Sequence, residues 1–213
     1  GRYGISTVLG TPTATPPAWL WQRYPEVLRW GRDGQRVTFG MRRQYCPTND
    51  TYRQLSSEIV RAMAEHYAGN PNVIGWQLDN EFGCHDTTRC YCPSCLLAFQ
   101  NWTRKRYRTL DTLNDAWGTV FWSHCYTSWE QIPLPWSTTG TSNPCLELDY
   151  YRFASEEMVA YAQLQTDILR EACPNHFITT NLMGFRFQDM DYFCLARTLD
   201  LVSWENYPIY AGY

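Results

Sequence analysis

The sequence predicts an α/β fold built on parallel strands, and three observations carry that prediction. First, four short apolar runs recur at wide intervals: Ile5 to Leu9, Val73 to Leu78, Phe177 to Leu182 and Leu199 to Trp204. They are rich in β-branched and aromatic residues with little period-two alternation, the pattern of strands covered on both faces. Second, helical patterns fill the intervals, and strands alternating with helices imply parallel βα units. Third, no Gly-rich phosphate loop follows any run, so an open dinucleotide-binding sheet lacks support and a (β/α)8 TIM barrel is the better match.

The elements follow in order. The first run leads into "GTPTATPPAWL". Tyr52, Leu55, Ile59 and Met63 then mark one face of a helix that precedes the second run. Leu96, Phe99 and Trp102 begin another helix, and Leu110, Leu113 and Trp117 mark a third that Gly118 ends. The longest pattern runs from about Leu148 to Ala172, with Phe153, Met158, Tyr161, Leu164, Ile168 and Leu169 on one face, and Pro174 stops it. The second, third and fourth runs lead into "DNEFG", "TTNLMG" and "SWENYP". In a barrel, the segments that follow the strands build the active site. Only four of a barrel's eight strands are found, and a half-barrel would leave two unpaired parallel edges. The expectation is one partial barrel domain over residues 1–213, a central fragment lacking strands on both sides.

Bulk composition narrows the function classes. Aromatic residues make up 16% of the chain, with ten Trp, fifteen Tyr and nine Phe. Such rings fill a large core or line a cleft that stacks on the flat apolar faces of sugars, and composition alone favours the core. A net charge of −3 argues against nucleic acid as a partner, because phosphate binding needs a basic footprint. No apolar run is long enough to span a bilayer, and no signal-peptide pattern opens the chain. The first residue is Gly1 rather than Met, which suggests that the native N-terminus lies elsewhere.

Nine cysteines is an odd number, so at least one stands outside any internal disulfide. Cys125, Cys145, Cys173 and Cys194 are scattered, as buried small hydrophobes usually are. Cys90, Cys92 and Cys95, in "CYCPSC", instead bring three thiolates within six residues. A tetrahedral Zn²⁺ site takes a fourth ligand from a distant segment. Cys46, in "RRQYCPTND", is the best candidate, with Cys84 and His85 as competitors. The competing readings are a reduced metal-free cluster and a disulfide between Cys92 and Cys95. Four protein ligands would leave no open position, which makes such a metal structural rather than catalytic.

The stretch "GWQLDNEFGC" is an apolar run that delivers Asp79, Asn80 and Glu81 to a strand end. Asn-Glu there fits glycoside hydrolysis: the Glu protonates the departing glycosidic oxygen and the Asn holds a sugar hydroxyl. The alternation of the strand demotes Asp79 to a supporting role. From the tripeptide alone, ion pairing or capping is the better explanation, since Asn-Glu is common by chance.

The segments "LGTPTATPPAWL", "RRQYC", "WQLDNEFGC", "CYCPSC", "NDAWGTVFWS", "LDYYRFAS" and "SWENYP" occur in this order. Together, over essentially the whole chain, they resemble the family 42 glycoside hydrolases, bacterial β-galactosidases with a (β/α)8 catalytic barrel. The resemblance implies strands three to six of that barrel, with Glu81 as the acid/base of a retaining hydrolysis and Asn80 binding the sugar. It implies that Arg42 contacts the sugar and that Trp122 closes over it, in a neighbouring subunit's site. It places Tyr207 near the nucleophile and matches Cys46, Cys90, Cys92 and Cys95 to a zinc-binding set. The family's nucleophile is a glutamate after the seventh strand, beyond what this chain contains, and Glu205 reads as supporting. A cytoplasmic homo-oligomer, a trimer, acting on β-galactosides is what the resemblance implies for the intact enzyme. The rival reading is a zinc-stapled carbohydrate-binding or interaction domain without catalysis.

Overall fold

The computed structural model describes residues 2–184 and 187–207. Among the described residues, five strand segments are interspersed with six α-helices. They are β1 (Thr7–Gly10), α1 (Ala18–Arg23), α2 (Asp50–Tyr67), β2 (Val73–Gln77), α3 (Pro93–Tyr107) and α4 (Leu110–Trp117). There follow α5 (Pro144–Ala172), β3 (Phe177–Thr179), β4 (Asn181–Leu182), α6 (Tyr192–Ala196) and β5 (Ser203–Trp204).

All strand pairs are parallel. β1 lies beside β2 and β2 beside β3, with Leu9 opposite Trp76 and Trp76 opposite Ile178. β4 pairs with β5, Asn181 opposite Ser203. The run Phe177 to Leu182 is thus one stave in two halves: its first half bonds back to β2 and its second half forward to β5. Thr180 sits at the handover, where its hydroxyl donates to the Leu78 carbonyl at 2.7 Å and its carbonyl accepts from the Ser203 hydroxyl at 2.9 Å. Gly75 lets neighbouring staves approach closely, since a Cβ there would stand 2.6 Å from the Phe177 ring.

Local chemistry sets the helix ends. The Asn49 side chain accepts the Tyr52 N–H at 2.9 Å and starts α2. Thr109 caps α4, which ends on left-handed Gly118. α5 begins at Pro144, four residues before the expected Leu148, because Asn143 accepts from the N–H groups of Cys145 and Leu146. A proline in the first turn costs the helix no hydrogen bond.

Two helices cover the sheet. α2 and α5 pack together over Trp76 and Ile178 through Val60, Ala64, Met158, Tyr161 and Leu169. The buried stripe of α2 is Tyr52, Ser56, Val60 and Ala64, whereas the expected Ile59 is 43% exposed. Small Ser56 and Ala64 admit the neighbouring helix, and the Ser56 hydroxyl lies 2.8 Å from the Tyr161 hydroxyl. A second core gathers Phe99, Leu113, Trp117, Ile132, Tyr150 and Phe153 around four cysteines.

The expectation of strands covered on both faces fails for part of the staves. Val8, Ile74, Val202 and Trp204 are between 42% and 64% exposed. Four staves cannot close on themselves, so Val8 lacks the opposite wall that a closed barrel supplies, while Val202 and Trp204, on the same face as Leu182, lie on the last described stave without a further neighbour to cover them. Nor are the scattered cysteines uniformly buried: Cys173 is, while Cys145 and Cys194 are half-buried and Cys125 is exposed. Each of these three lies beside a loop or near a helix end, where solvent reaches the thiol. No described helix is long and apolar enough to cross a membrane.

Candidate active site and candidate metal centre

Beyond β2 the chain turns sharply. Asp79 and Glu81 both adopt left-handed backbone, at φ 49° and 48°. For residues with a Cβ that costs about 1–3 kcal/mol each, and it persists only where the surroundings over-determine it. Arg43 and His85, which approach the same turn, are left-handed as well.

For Asp79 the surroundings are a closed set of donors. Its carboxylate accepts from Arg43 Nη1 at 2.5 Å, the Tyr45 hydroxyl at 2.9 Å, the Thr13 hydroxyl at 2.8 Å and the Asn80 N–H at 2.7 Å. Its own N–H donates to Thr11 Oγ1 at 2.7 Å. Arg43, 1% exposed, also donates to the Asn80 carbonyl, the Thr87 hydroxyl and the Tyr45 hydroxyl. Burial pulls the Arg43 guanidinium down, but Tyr45 and Asp79 outweigh it and hold the group above its ordinary value. With every lone pair engaged, Asp79 is a strut between the segment after β1 and the turn after β2.

Glu81 is placed differently. Its carboxylate accepts from Arg42 Nη2 at 2.7 Å, and that nitrogen also lies 3.3 Å from His85 Nε2. The Arg42 side chain is 34% exposed and that of Glu81 11%, so this pair borders solvent where the Arg43 pair does not. Cys84 lies against the same carboxylate. Burial pushes its thiol up to about 11, with Glu81 adding to the rise and Arg43 and Arg42 opposing it.

Asn181, the first residue of β4, ties the strand ends together. Its Oδ1 accepts the Glu81 N–H at 3.0 Å and Gln77 Nε2 at 3.2 Å. Its Nδ2 donates to Asn80 Oδ1 at 3.1 Å and to Glu205 Oε1 at 2.5 Å. Glu205, just past β5, is held by its own N–H on the Leu182 carbonyl. The Tyr207 phenol is raised by its hydrogen bond to the Glu205 carboxylate, with Glu81 adding to the rise and Arg42 opposing it. Arg42, Asn80, Glu81, Glu205 and Tyr207 therefore converge at the C-terminal ends of the staves.

Trp122 does not join them. It is 76% exposed on the loop after α4, where its ring meets the Phe121 edge at 5.4 Å. Sequence reasoning named Glu205 as supporting but passed over Asn181, whose only signal was its place in "TTNLMG" after an apolar run.

Four cysteines meet in the second core. The sulfurs of Cys46, Cys90, Cys92 and Cys95 lie within 4.8 Å of one another, all buried. Cys46 Sγ is 3.4 Å from Cys95 Sγ and 3.6 Å from Cys92 Sγ, too far for a disulfide. A tetrahedral zinc with Zn–S bonds of about 2.3 Å sets its sulfurs about 3.8 Å apart, so this donor set fits such an ion. The Trp30 N–H donates to Cys90 Sγ at 3.4 Å, as an outer partner of a metal thiolate would. Hydrogen bonds from Cys46, Cys90 and Cys95 hold the Cys92 thiol far below the usual range. Cys84 and His85 stand instead beside Glu81 and Arg42.

Parallel staves with carboxylates and amides gathered at their C-terminal ends are what a segment of a (β/α)8 barrel carrying its active-site face presents. Residues 1–212 match the glycoside hydrolase family 42 model, described as beta-galactosidase, and the chain belongs to that family. It is 52% identical over 206 residues to a beta-galactosidase of Thermus thermophilus, covering 97% of this chain and 32% of that protein. The crystal structure of a beta-galactosidase from the psychrophilic Marinomonas ef1 superposes with a TM-score of 0.94 at 43% identity, covering 98% of this chain and 32% of that one. The beta-galactosidase of the Antarctic haloarchaeon Halorubrum lacusprofundi gives 0.94 at 44% identity, covering 97% and 31%. The chain thus spans about a third of the length of these relatives, and its four staves are part of a TIM barrel.

Proposed function

We propose that this chain is the acid-bearing part of the catalytic barrel of a retaining glycoside hydrolase that removes terminal β-D-galactosyl residues. The observation that carries the reading is Glu81, held in a strained turn at a stave end beside Asn80, Arg42 and Tyr207, in a member of this family. Glu81 is the general acid/base. It protonates the glycosidic oxygen as the leaving group departs, and as a base it then activates the water that releases the sugar. Asn80, Arg42 and Tyr207 bind the galactosyl hydroxyls. Trp122, on its exposed loop, covers the sugar in a neighbouring subunit's site within a cytoplasmic homotrimer.

The partner carboxylate of a retaining enzyme stands about 5–5.5 Å from the acid. Glu205 is engaged by Asn181 and Tyr207, which supports a supporting role, and the nucleophile belongs to the remainder of the barrel. Cys46, Cys90, Cys92 and Cys95 hold a structural zinc, which when bound neutralises thiolate charge and clips the segment carrying Arg42 to the start of α3. Full-length protein should hydrolyse β-galactosides with retention, and Glu81→Ala should lose that activity on unactivated substrates. Full activity in that variant would overturn the assignment.

A further inference from the structure

The orientation of a side-chain amide is fixed only by partners that cannot themselves be reversed. Asn181 has two of these. The Glu81 backbone N–H can only donate, so the atom 3.0 Å from it is the Asn181 oxygen. The Glu205 carboxylate, when ionised, can only accept, so the atom beside it is the Asn181 nitrogen. With Asn181 fixed from both sides, its Nδ2 donates to Asn80 Oδ1 at 3.1 Å, and the orientation of the Asn80 amide is fixed in turn. Asn80 is left with its NH₂ group as the donor it can offer to a hydroxyl.

The same carboxamide seats the acid. Glu81 holds a left-handed conformation at φ 48°, and its N–H is secured by Asn181 from a different stave. Gln77 Nε2, on the stave that leads to Glu81, donates to the same oxygen. We infer that Glu205 and Asn181 form a positioning relay that fixes the Asn80 amide with its NH₂ toward substrate and the Glu81 backbone in its acid-bearing turn. Asn181 touches no reacting atom in this scheme; it acts through two residues that do.

The inference rests on Glu81 being the acid/base, and the experiment separates the two. In full-length protein, kcat/KM is measured on methyl β-galactoside, whose leaving group needs a proton, and on dinitrophenyl β-galactoside, whose leaving group does not. Asn181→Ala should lose about ten-fold more on the methyl substrate than on the dinitrophenyl one, within the range that general acid catalysis supplies. That excess should vanish in a Glu81→Ala background, because coupled residues are non-additive. The loss common to both substrates should vanish in an Asn80→Ala background. Equal losses on both substrates, or additive effects in either background, would overturn the relay. A Glu81→Ala variant that itself loses both substrates equally would overturn the acid assignment instead. Should the alanine variant not fold, Asn181→Asp keeps the shape and the acceptor for the Glu81 N–H. It removes the donor to Asn80, so the loss should be nearly equal on the two substrates; a large excess on the methyl substrate, or no loss on either, would overturn the relay.

Discussion

Arg42 and Arg43 are neighbours of one chemical type, and the structure gives them opposite roles. Arg43 is 1% exposed and pairs at 2.5 Å with an Asp79 carboxylate that is equally buried. Replacing Arg43 by alanine leaves the Asp79 charge in the core with three of its four donors, and it strips the Asn80 carbonyl and the Thr87 hydroxyl of a partner. Breaking a buried pair in this way costs about 3–5 kcal/mol. For a unit of 150–250 residues that lowers the melting midpoint by roughly 6–20 °C, and by less in the larger intact protein. Arg42 makes its ion pair at the border with solvent, where such pairs are worth about 0–1 kcal/mol. Arg42→Ala should therefore leave the midpoint almost unchanged while reducing kcat/KM. Thermal unfolding and galactoside kinetics on both variants, in full-length protein, read the difference. A double variant, Arg43→Met with Asp79→Asn, should recover part of the lost stability, because no lone charge then remains buried. Equal midpoints for Arg42→Ala and Arg43→Ala would refute the division of roles.

Two further outcomes bear on the rest of the molecule. Metal analysis of purified protein should give about one zinc per chain, with Cys46, Cys90, Cys92 and Cys95 unreactive to thiol reagents until a chelator is added; four freely titratable thiols and no metal would remove the site. The 213-residue chain alone should show no hydrolysis, whereas robust turnover would put the nucleophile within it and make Glu205 the first residue to substitute.

The sequence was most legible where one residue's chemistry is enough. The apolar runs locate every stave, and Gly118 and Pro174 mark the ends of α4 and α5 within a residue or two. The spacing of Cys90, Cys92 and Cys95 announces a cluster that Cys46 joins in the structure. Legibility fails where function depends on residues brought together from different staves. Nothing local distinguishes Arg43 from Arg42, and only the fold turns one inward to Asp79. Asn181 lies a hundred residues from Glu81, and its role exists only through hydrogen bonds that the parallel register creates. The face of α2 was misread because Ser56 and Ala64 pack closely without being strongly apolar. The exposure of Val8, Val202 and Trp204 was hidden for a different reason: their apolar character matches burial in a closed barrel, and four staves do not close it.

The central claim is that Glu81 delivers a proton to the leaving group. The most direct test is kcat/KM of Glu81→Ala in full-length protein across β-galactosides of graded leaving-group acidity. Removal of the acid should cost about 10²–10⁴-fold on alkyl galactosides and progressively less as the leaving group becomes a better anion. The rate should then depend more steeply on leaving-group pKa than in the parent enzyme. A uniform loss across the series, with the slope unchanged, would contradict the assignment.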